Sequence, residues 1–335
     1  MKFKEWINII IILLLLSISF FRFRNKTYTA SKIRFLMDTQ VEISIISKNQ
    51  NVDKLLDNAF DIIEKYDEML SYFNPNSFLY HLNHSDSLQT KINEDIYEIL
   101  KLAELVYYRS NNLYDISIAP LVDIWDFSNE IIPTSEMIEL SQKNVGFDRI
   151  DFDENYIYLP VDMKINLGSI SKGYIIDKTI EYIADKDVVE VFINAGGDIR
   201  FFSHNKKKWR LGIQHPRDRL STIVVLRIPD MAVVTSGDYE RYFIQDGVRY
   251  HHILNPKTGF PASPTVAVTI FSPTAFLADA LSTAAFVMNP FDAIEMIKSF
   301  PDTEGIIFFY DSDGQPISLK TTGTRSWIIS DVNEF

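Results

Sequence analysis

Apolar positions recur along the chain with two periods. Val41–Ser47 (VEISIIS) alternates apolar and polar residues, as a half-buried strand does. Leu55, Leu56, Ala59, Phe60, Ile63, Tyr66 and Leu70 recur at helical spacing and predict an amphipathic helix over Asp53–Leu70, with a second over Glu94–Tyr108. Asn155–Ile165 and Val188–Ile193 predict strands, and a helix over Gly173–Ile183 follows a Ser-rich turn. In the C-terminal half, Thr222–Ile228, Ala232–Thr235 and Thr265–Phe271 are β-branched runs. Gln245-Asp246-Gly247 between two short apolar runs predicts a hairpin. Ser272-Pro273-Thr274 opens a helix to about Met288, and Ile306–Tyr310 and Trp327–Ser330 add strands. Helices and strands are interspersed without regular βαβ spacing, so the expected class is α+β, with mixed or antiparallel sheets and packed helices.

Trp6–Phe21 is apolar apart from Asn8, Ser17 and Ser19. With Arg22 snorkelling, this stretch approaches the roughly 17–20 helical residues that cross a bilayer core. A cleaved signal peptide would need small residues at its end, whereas Ser-Phe-Phe-Arg-Phe-Arg follows, which favours an uncleaved anchor. Asn25–Ser31 reads as a polar tether. The expected organisation is residues 1–31 as anchor and tether and 32–335 as one catalytic domain.

The 335 residues carry a formal net charge of −12, with 46% hydrophobic and 23% charged residues, proportions of a globular protein. Five basic side chains and one acidic lie in residues 1–26, so the remainder is more acidic still. Such a body is a poor partner for nucleic acid, whose binding rests on cations neutralising phosphates. Cysteine is absent, which excludes disulfides, thiolate metal sites and thiol nucleophiles.

Four local patterns could carry chemistry. Phe192–Asp198 (FINAGGD) runs an apolar strand into two glycines and a carboxylate. Glycines allow backbone N–H groups close to a ligand, although a plain strand-ending turn has the same composition. Asn166–Gly173 (NLGSISKG) is hydroxyl-rich, contains Lys172 and precedes a helix, as a phosphate-binding loop or an ordinary N-cap would. Asp279 and Thr283 are four apart on one helical face and offer oxygen ligands to a hard cation, or simply pack. In Tyr250–Gly259 (YHHILNPKTG), strand alternation sends His251 and His252 to opposite faces, so they do not share a metal, and one could act as a base. The G-x-S-x-G, H-E-x-x-H and G-x-G-x-x-G patterns are missing, which disfavours hydrolase, zincin and dinucleotide-fold dehydrogenase readings.

In order along the chain stand Met37-Asp-Thr, Ser71–Ser77 (SYFNPNS), Tyr114–Trp125 (YDISIAPLVDIW), Asn166–Gly173, Asn194–Asp198, Thr235–Tyr242 (TSGDYERY), His252–Gly259 and Ala278–Thr283 (ADALST). That series resembles the FAD:protein FMN transferases of the ApbE type, over roughly Met37 to Trp327. The resemblance implies a fold related to tunnelling-fold folate enzymes and a Mg²⁺-dependent reaction. In it FAD is split at the pyrophosphate, AMP leaves, and FMN becomes a phosphoester on a Thr or Ser hydroxyl of a partner protein. It also implies a catalytic domain outside the cytoplasmic membrane, held by the N-terminal segment. Implied acceptors are flavoprotein subunits of membrane redox complexes or extracellular electron-transfer systems.

By the same resemblance Met37, Phe73, Leu113, Tyr114, Asp115, Asn166, Lys172 and His252 contact FAD. The turn of Asn194, Gly196, Gly197 and Asp198 is expected, with Lys172, to help bind the FAD pyrophosphate and nearby ribose or ring groups. Ser169, through its carbonyl, Asp279 and Thr283 hold the metal. His252 is the candidate base and Asp279 the second. Two positions depart from the family pattern: Asn166 replaces an Asp, and Asp38 replaces a Gly. A Mg²⁺-dependent FAD pyrophosphatase and a non-catalytic flavin-binding assembly protein are the competing expectations.

Overall fold

The computed structural model describes Leu14 and residues 26–331. Leu14 apart, the apolar N-terminal run lies outside these residues, so the expected anchor does too. Among the described residues no helix is long and apolar enough to cross a membrane.

An eight-stranded sheet organises the molecule: β1 (Tyr28–Leu36), β2 (Thr39–Ser47), β3 (Val188–Ala195), β4 (Asp198–Ser203), β5 (Ala232–Gly237), β6 (Thr265–Ser272), β7 (Glu304–Tyr310) and β8 (Pro316–Lys320). Neighbours in the sheet follow chain order, and every pairing is antiparallel. This is the expected α+β class. The tether is shorter than expected, because Tyr28–Ser31 already pair with Ser44–Ser47 as the start of β1.

Alternation along the inner strands divides two cores. Val234, Val268, Ile270, Ile307 and Phe309 face the larger core, under helices α1 (Val52–Leu70), α2 (Glu94–Arg109), α3 (Ser171–Ala184), α4 (Ala275–Val287) and α5 (Pro290–Lys298). Val233, Phe271, Ile306 and Phe308 face the other way, onto a three-stranded sheet of Trp209–His215, Asp218–Ile228 and Ile328–Asp331. Strand β6 is buried along its whole length because both its faces are covered. Helix α4 is apolar or small almost all round, as a helix enclosed by protein must be, and it packs on α3, β5 and β6. A buried carboxylate on such a helix needs partners, and Asp279 is that carboxylate.

Tight turns bring separate strands to one end of the sheet. Leu36 pairs with Thr39 across Met37 and Asp38, both left-handed at φ 53° and 57°. Two such residues form the turn that matches strand twist, and Asp occupies that region more readily than most side chains, so the loss of Gly at position 38 is accommodated. Ala195 pairs with Asp198 across Gly196 and Gly197, and a Cβ on Gly196 would lie 2.4 Å from Thr39 Oγ1. The hairpin expected at Asp246-Gly247 joins Tyr242–Gln245 to Val248–His251. One strand is corrected: only Tyr156–Tyr158 of the expected Asn155–Ile165 is extended in a sheet, because Pro160 and the Asp162 turn break the run.

Candidate active site

At that end of the sheet lies a cavity of about 700 Å³. Its wall combines the β1–β2 turn, the Ser71–Phe73 loop, the Leu113–Asp115 loop, the Asn166–Lys172 loop, the end of β5 and one face of α4. Of the residues expected at a site, Met37, Phe73, Leu113, Tyr114, Asp115, Asn166, Ser169, Lys172, Gly196, Asp198, His252, Asp279 and Thr283 all line it. Asn194 and Gly197 do not. The Asn194 side chain instead accepts the Gly197 N–H at 2.9 Å and closes the turn that presents Gly196 and Asp198.

Asp279 is fixed by a helix end. Helix α3 begins after Ile170 with no side-chain cap, so the N-cap alternative for the Asn166–Gly173 segment finds no capping side chain. The Gly173 N–H, one of the unpaired donors of that first turn, goes to Asp279 Oδ2 at 2.9 Å. A Cβ on residue 173 would stand 2.2 Å from the Ala275 carbonyl oxygen, so only glycine lets α3 and α4 approach this closely. The capping is mutual: Asp177 on α3 accepts the Phe276 N–H of α4 at 2.8 Å. Burial, reinforced by Asp198, raises the Asp279 carboxyl above the usual carboxylate range, against the pull of Lys172 and the Gly173 N–H.

Lys172 is not a free cation. It pairs with the buried Asp198. Burial disfavours its charge, but Asp198 and Asp279 more than compensate and raise its pKa.

Asp115 lines the cavity, and its carboxylate also organises the loop it sits on. Its Oδ1 accepts from the Ser117 N–H at 2.8 Å and from the Ser117 hydroxyl, and its Oδ2 from the Phe147 N–H at 3.1 Å. The carboxylate therefore folds the loop on which Leu113 and Tyr114 sit. The Ser169 hydroxyl donates to the Tyr114 hydroxyl at 3.1 Å, tying this loop to the Asn166–Ile170 segment. Asn166 accepts the Gly168 N–H at 2.8 Å, a turn that an Asp would also make. Phe73 is 70% exposed at the cavity wall, an aromatic face open to a planar ligand.

The two histidines separate as alternation requires. His251 is buried, with Nε2 toward the Ala262 carbonyl at 2.9 Å and Nδ1 accepting the Ile253 N–H, so both nitrogens are committed. His252 lines the cavity. Its Nδ1 faces the Arg241 carbonyl at 3.3 Å; a carbonyl only accepts, so Nδ1 carries the hydrogen and Nε2 keeps the lone pair. Burial, with His251, Arg241 and Lys172 nearby, lowers this imidazole to about 4, so it is a neutral acceptor near pH 7.

The donor set suits a hard cation. Among the described residues no three His, Cys, Asp or Glu converge as a metal cluster. What converges is oxygen. The Gly173 N–H is the one hydrogen bond to the Asp279 carboxylate among the described residues, which leaves its second oxygen to a ligand. The Thr283 hydroxyl lies one turn on along the same helix, and both line the cavity with Ser169. One carboxylate with neutral oxygens fits Mg²⁺ with ligand phosphates completing its shell, and fits a soft metal poorly.

Asp67, Asp123, Trp125, Ser236, Glu240 and Arg241 also line the cavity without having been singled out. Asp67 sits near the end of α1 and Ser236 on β5, the others on loops, and no local pattern reveals that they converge. The grouping of Glu240 and Arg241 in the TSGDYERY segment was the available signal.

Fold and site together define a class: an antiparallel α+β protein with an oxygen-lined cleft at one end of its sheet. A sequence profile of the ApbE family matches residues 37–307, and the chain belongs to that family. It is similar to the FAD:protein FMN transferases of Treponema pallidum, 27% identical over 311 residues and 84% of each chain, and of Escherichia coli K12, 28% identical over 286 residues and 80% of each. An ApbE protein of Thermotoga maritima matches the structure with a TM-score of 0.81 at 29% identity, over 90% of this chain and 100% of that one. The flavin transferase ApbE of Vibrio cholerae shares the fold, with a TM-score of 0.80 at 22% identity, over the same shares of each chain.

Proposed function

We propose that this chain is an FAD:protein FMN transferase that moves FMN from FAD to a Thr or Ser hydroxyl of a partner protein. The observation that carries the reading is the convergence of Asp279, Thr283, Ser169 and Lys172 on one cavity from positions as far as 114 residues apart. FAD is an anionic pyrophosphate with two planar ring systems, and the cavity offers both a cation site and exposed aromatic surface.

Asp279, Thr283 and the Ser169 carbonyl would hold Mg²⁺, which neutralises charge on the pyrophosphate. The residues of the chain supply the rest. Lys172 with the Gly196–Asp198 turn positions phosphate oxygens, and Phe73 and Met37 bound the flavin side. His252 Nε2 accepts the proton of the acceptor hydroxyl as its oxygen bonds to the phosphorus on the FMN side. The bond from that phosphorus to the bridging oxygen breaks, and AMP leaves with the bridging electron pair.

Residues 1–27, ahead of β1, in this reading anchor and tether the enzyme, with the body outside the cytoplasm and acceptors among membrane redox or extracellular electron-transfer flavoproteins. The apolar Trp6–Phe21 run supports the anchor. Recovery of the protein in a soluble fraction, beginning near Arg24, would refute it.

The activity is tested by incubating the chain with FAD, Mg²⁺ and candidate acceptors and measuring intact acceptor mass. Gain of one FMN phosphoester, lost with chelator and in Asp279→Ala, is the expected result. Release of free FMN and AMP with no acceptor modified would identify a pyrophosphatase instead. FAD binding without turnover would identify an assembly protein.

A further inference from the structure

Behind Thr283 lies a chain of hydroxyls. Thr283 Oγ1 is 3.5 Å from Ser236 Oγ, and Ser236 Oγ is 2.8 Å from Ser282 Oγ. Ser282 Oγ donates to the Asp279 backbone carbonyl at 2.9 Å. Ser236 comes from β5 and the other three residues from α4, so the chain exists only because sheet and helix pack together.

Each hydroxyl has one proton, which orders the chain. The carbonyl at its end only accepts, so the Ser282 proton is committed there. Ser282 must then accept from Ser236, whose proton is committed in turn. Ser236 is left able only to accept from Thr283. Ser282 is fully buried, so water does not reset this order. The long Thr283–Ser236 contact can therefore be made only with Thr283 donating, which turns the lone pairs of Thr283 Oγ1 away from Ser236, toward the cavity that both residues line.

We propose that Ser236 is a positioning residue for the cation: it takes the Thr283 hydroxyl proton and so presents Thr283 as a pure oxygen donor. The inference rests on the metal reading of Asp279 and Thr283 given above. A cation on Thr283 would make its hydroxyl a stronger donor and shorten the long Thr283–Ser236 contact, so metal and hydrogen-bond chain support each other.

The test is Mn²⁺ binding to the full chain without FAD, followed by the electron paramagnetic resonance of free Mn²⁺. Ser236→Ala is expected to weaken Mn²⁺ by about tenfold, the usual loss when a group supporting a ligand is removed. Ser236→Thr, which keeps the hydroxyl, is expected to restore near-wild-type affinity. In a Thr283→Val background Ser236→Ala should cause no further loss, because the group it serves is gone. Unchanged affinity in Ser236→Ala, or an equal loss in the Thr283→Val background, would overturn the role of Ser236. Unchanged affinity in Asp279→Asn would overturn the metal reading itself, and the inference with it. If Ser236→Ala does not fold, Ser282→Ala breaks the chain at its far end: weakened Mn²⁺ binding supports the ordering and wild-type binding refutes it.

Discussion

The Gly173 backbone N–H donates to Asp279 Oδ2 at 2.9 Å across 106 residues of sequence, so a helix start holds the carboxylate on which the proposed chemistry depends. The contact has a counterpart in the Phe276 N–H donating to Asp177 Oδ2, and the two bonds lock α3 against α4 at both N-termini. Gly173→Ala should therefore act on both stability and function. Its Cβ would meet the Ala275 carbonyl at 2.2 Å and Asp279 Cβ at 2.8 Å, and backbone must move to make room. We expect a loss of about 1–3 kcal/mol in chemical denaturation, as for an overpacked core, with FMN transfer reduced further than the unfolded fraction explains. Wild-type stability and transfer in Gly173→Ala would contradict this packing.

Asp177 makes folding stability depend on pH. Burial raises its carboxyl to about 6, against the Phe276 and Ala275 N–H groups and Arg200, from a normal value of 3.8. Between those values the folded state binds more protons than the unfolded state, so the contribution is largest at low pH and declines as pH rises through about 6. Asp177→Asn keeps an acceptor for Phe276 but does not titrate. Its stability relative to wild type should improve from pH 4 to pH 7, at about 1.4 kcal/mol per unit of pKa shift. A constant difference in urea midpoints over that range would remove Asp177 as the source.

The Lys172–Asp198 pair predicts an unequal response to truncation. Lys172→Ala loses a charged contact to phosphate and should weaken FAD binding at least about tenfold. It also strands a buried carboxylate, at a cost of about 3–5 kcal/mol. Lys172→Met combined with Asp198→Leu should recover much of that stability but not FAD affinity. Calorimetric melting and FAD titration separate the two effects, and additive losses in the double variant would refute the pairing.

For His252 the shift has the opposite sign. Burial lowers its pKa to about 4, so the unfolded state binds the extra proton between about 4 and 6.5, and stability rises with pH over that window. His252→Gln should flatten the rise. Above pH 5 the imidazole is already neutral, so the transfer rate should have no acid limb near 6.5 belonging to this residue. A limb at 6.5 that vanishes in His252→Gln would show that its environment is more polar than the structure gives.

Much of this protein is legible before folding. Period-two and helical spacing locate β2, α1 and α2 to within a residue or two, because an element with one buried face must repeat apolar residues at its own period. The order of motifs from Met37 to Thr283 reveals the ApbE family, and with it every residue proposed for the metal. Asn155–Ile165 misleads because β-branched and aromatic residues suit an extended loop as well as a strand.

What the chain alone cannot carry is the partner of each polar group. The carboxylate of Asp115 accepts from Ser117 and from the Phe147 N–H thirty-two residues away, and Asn194 accepts the Gly197 N–H, loop-closing bonds that the sequence does not announce. Lys172 looks like a free cation and is already paired. The ordering of the Thr283, Ser236 and Ser282 hydroxyls needs β5 and α4 in contact. Periodicity is a property of one element, whereas the direction of a hydrogen bond and the charge on a buried group depend on what the fold brings within a few ångströms, and only the tertiary structure decides that.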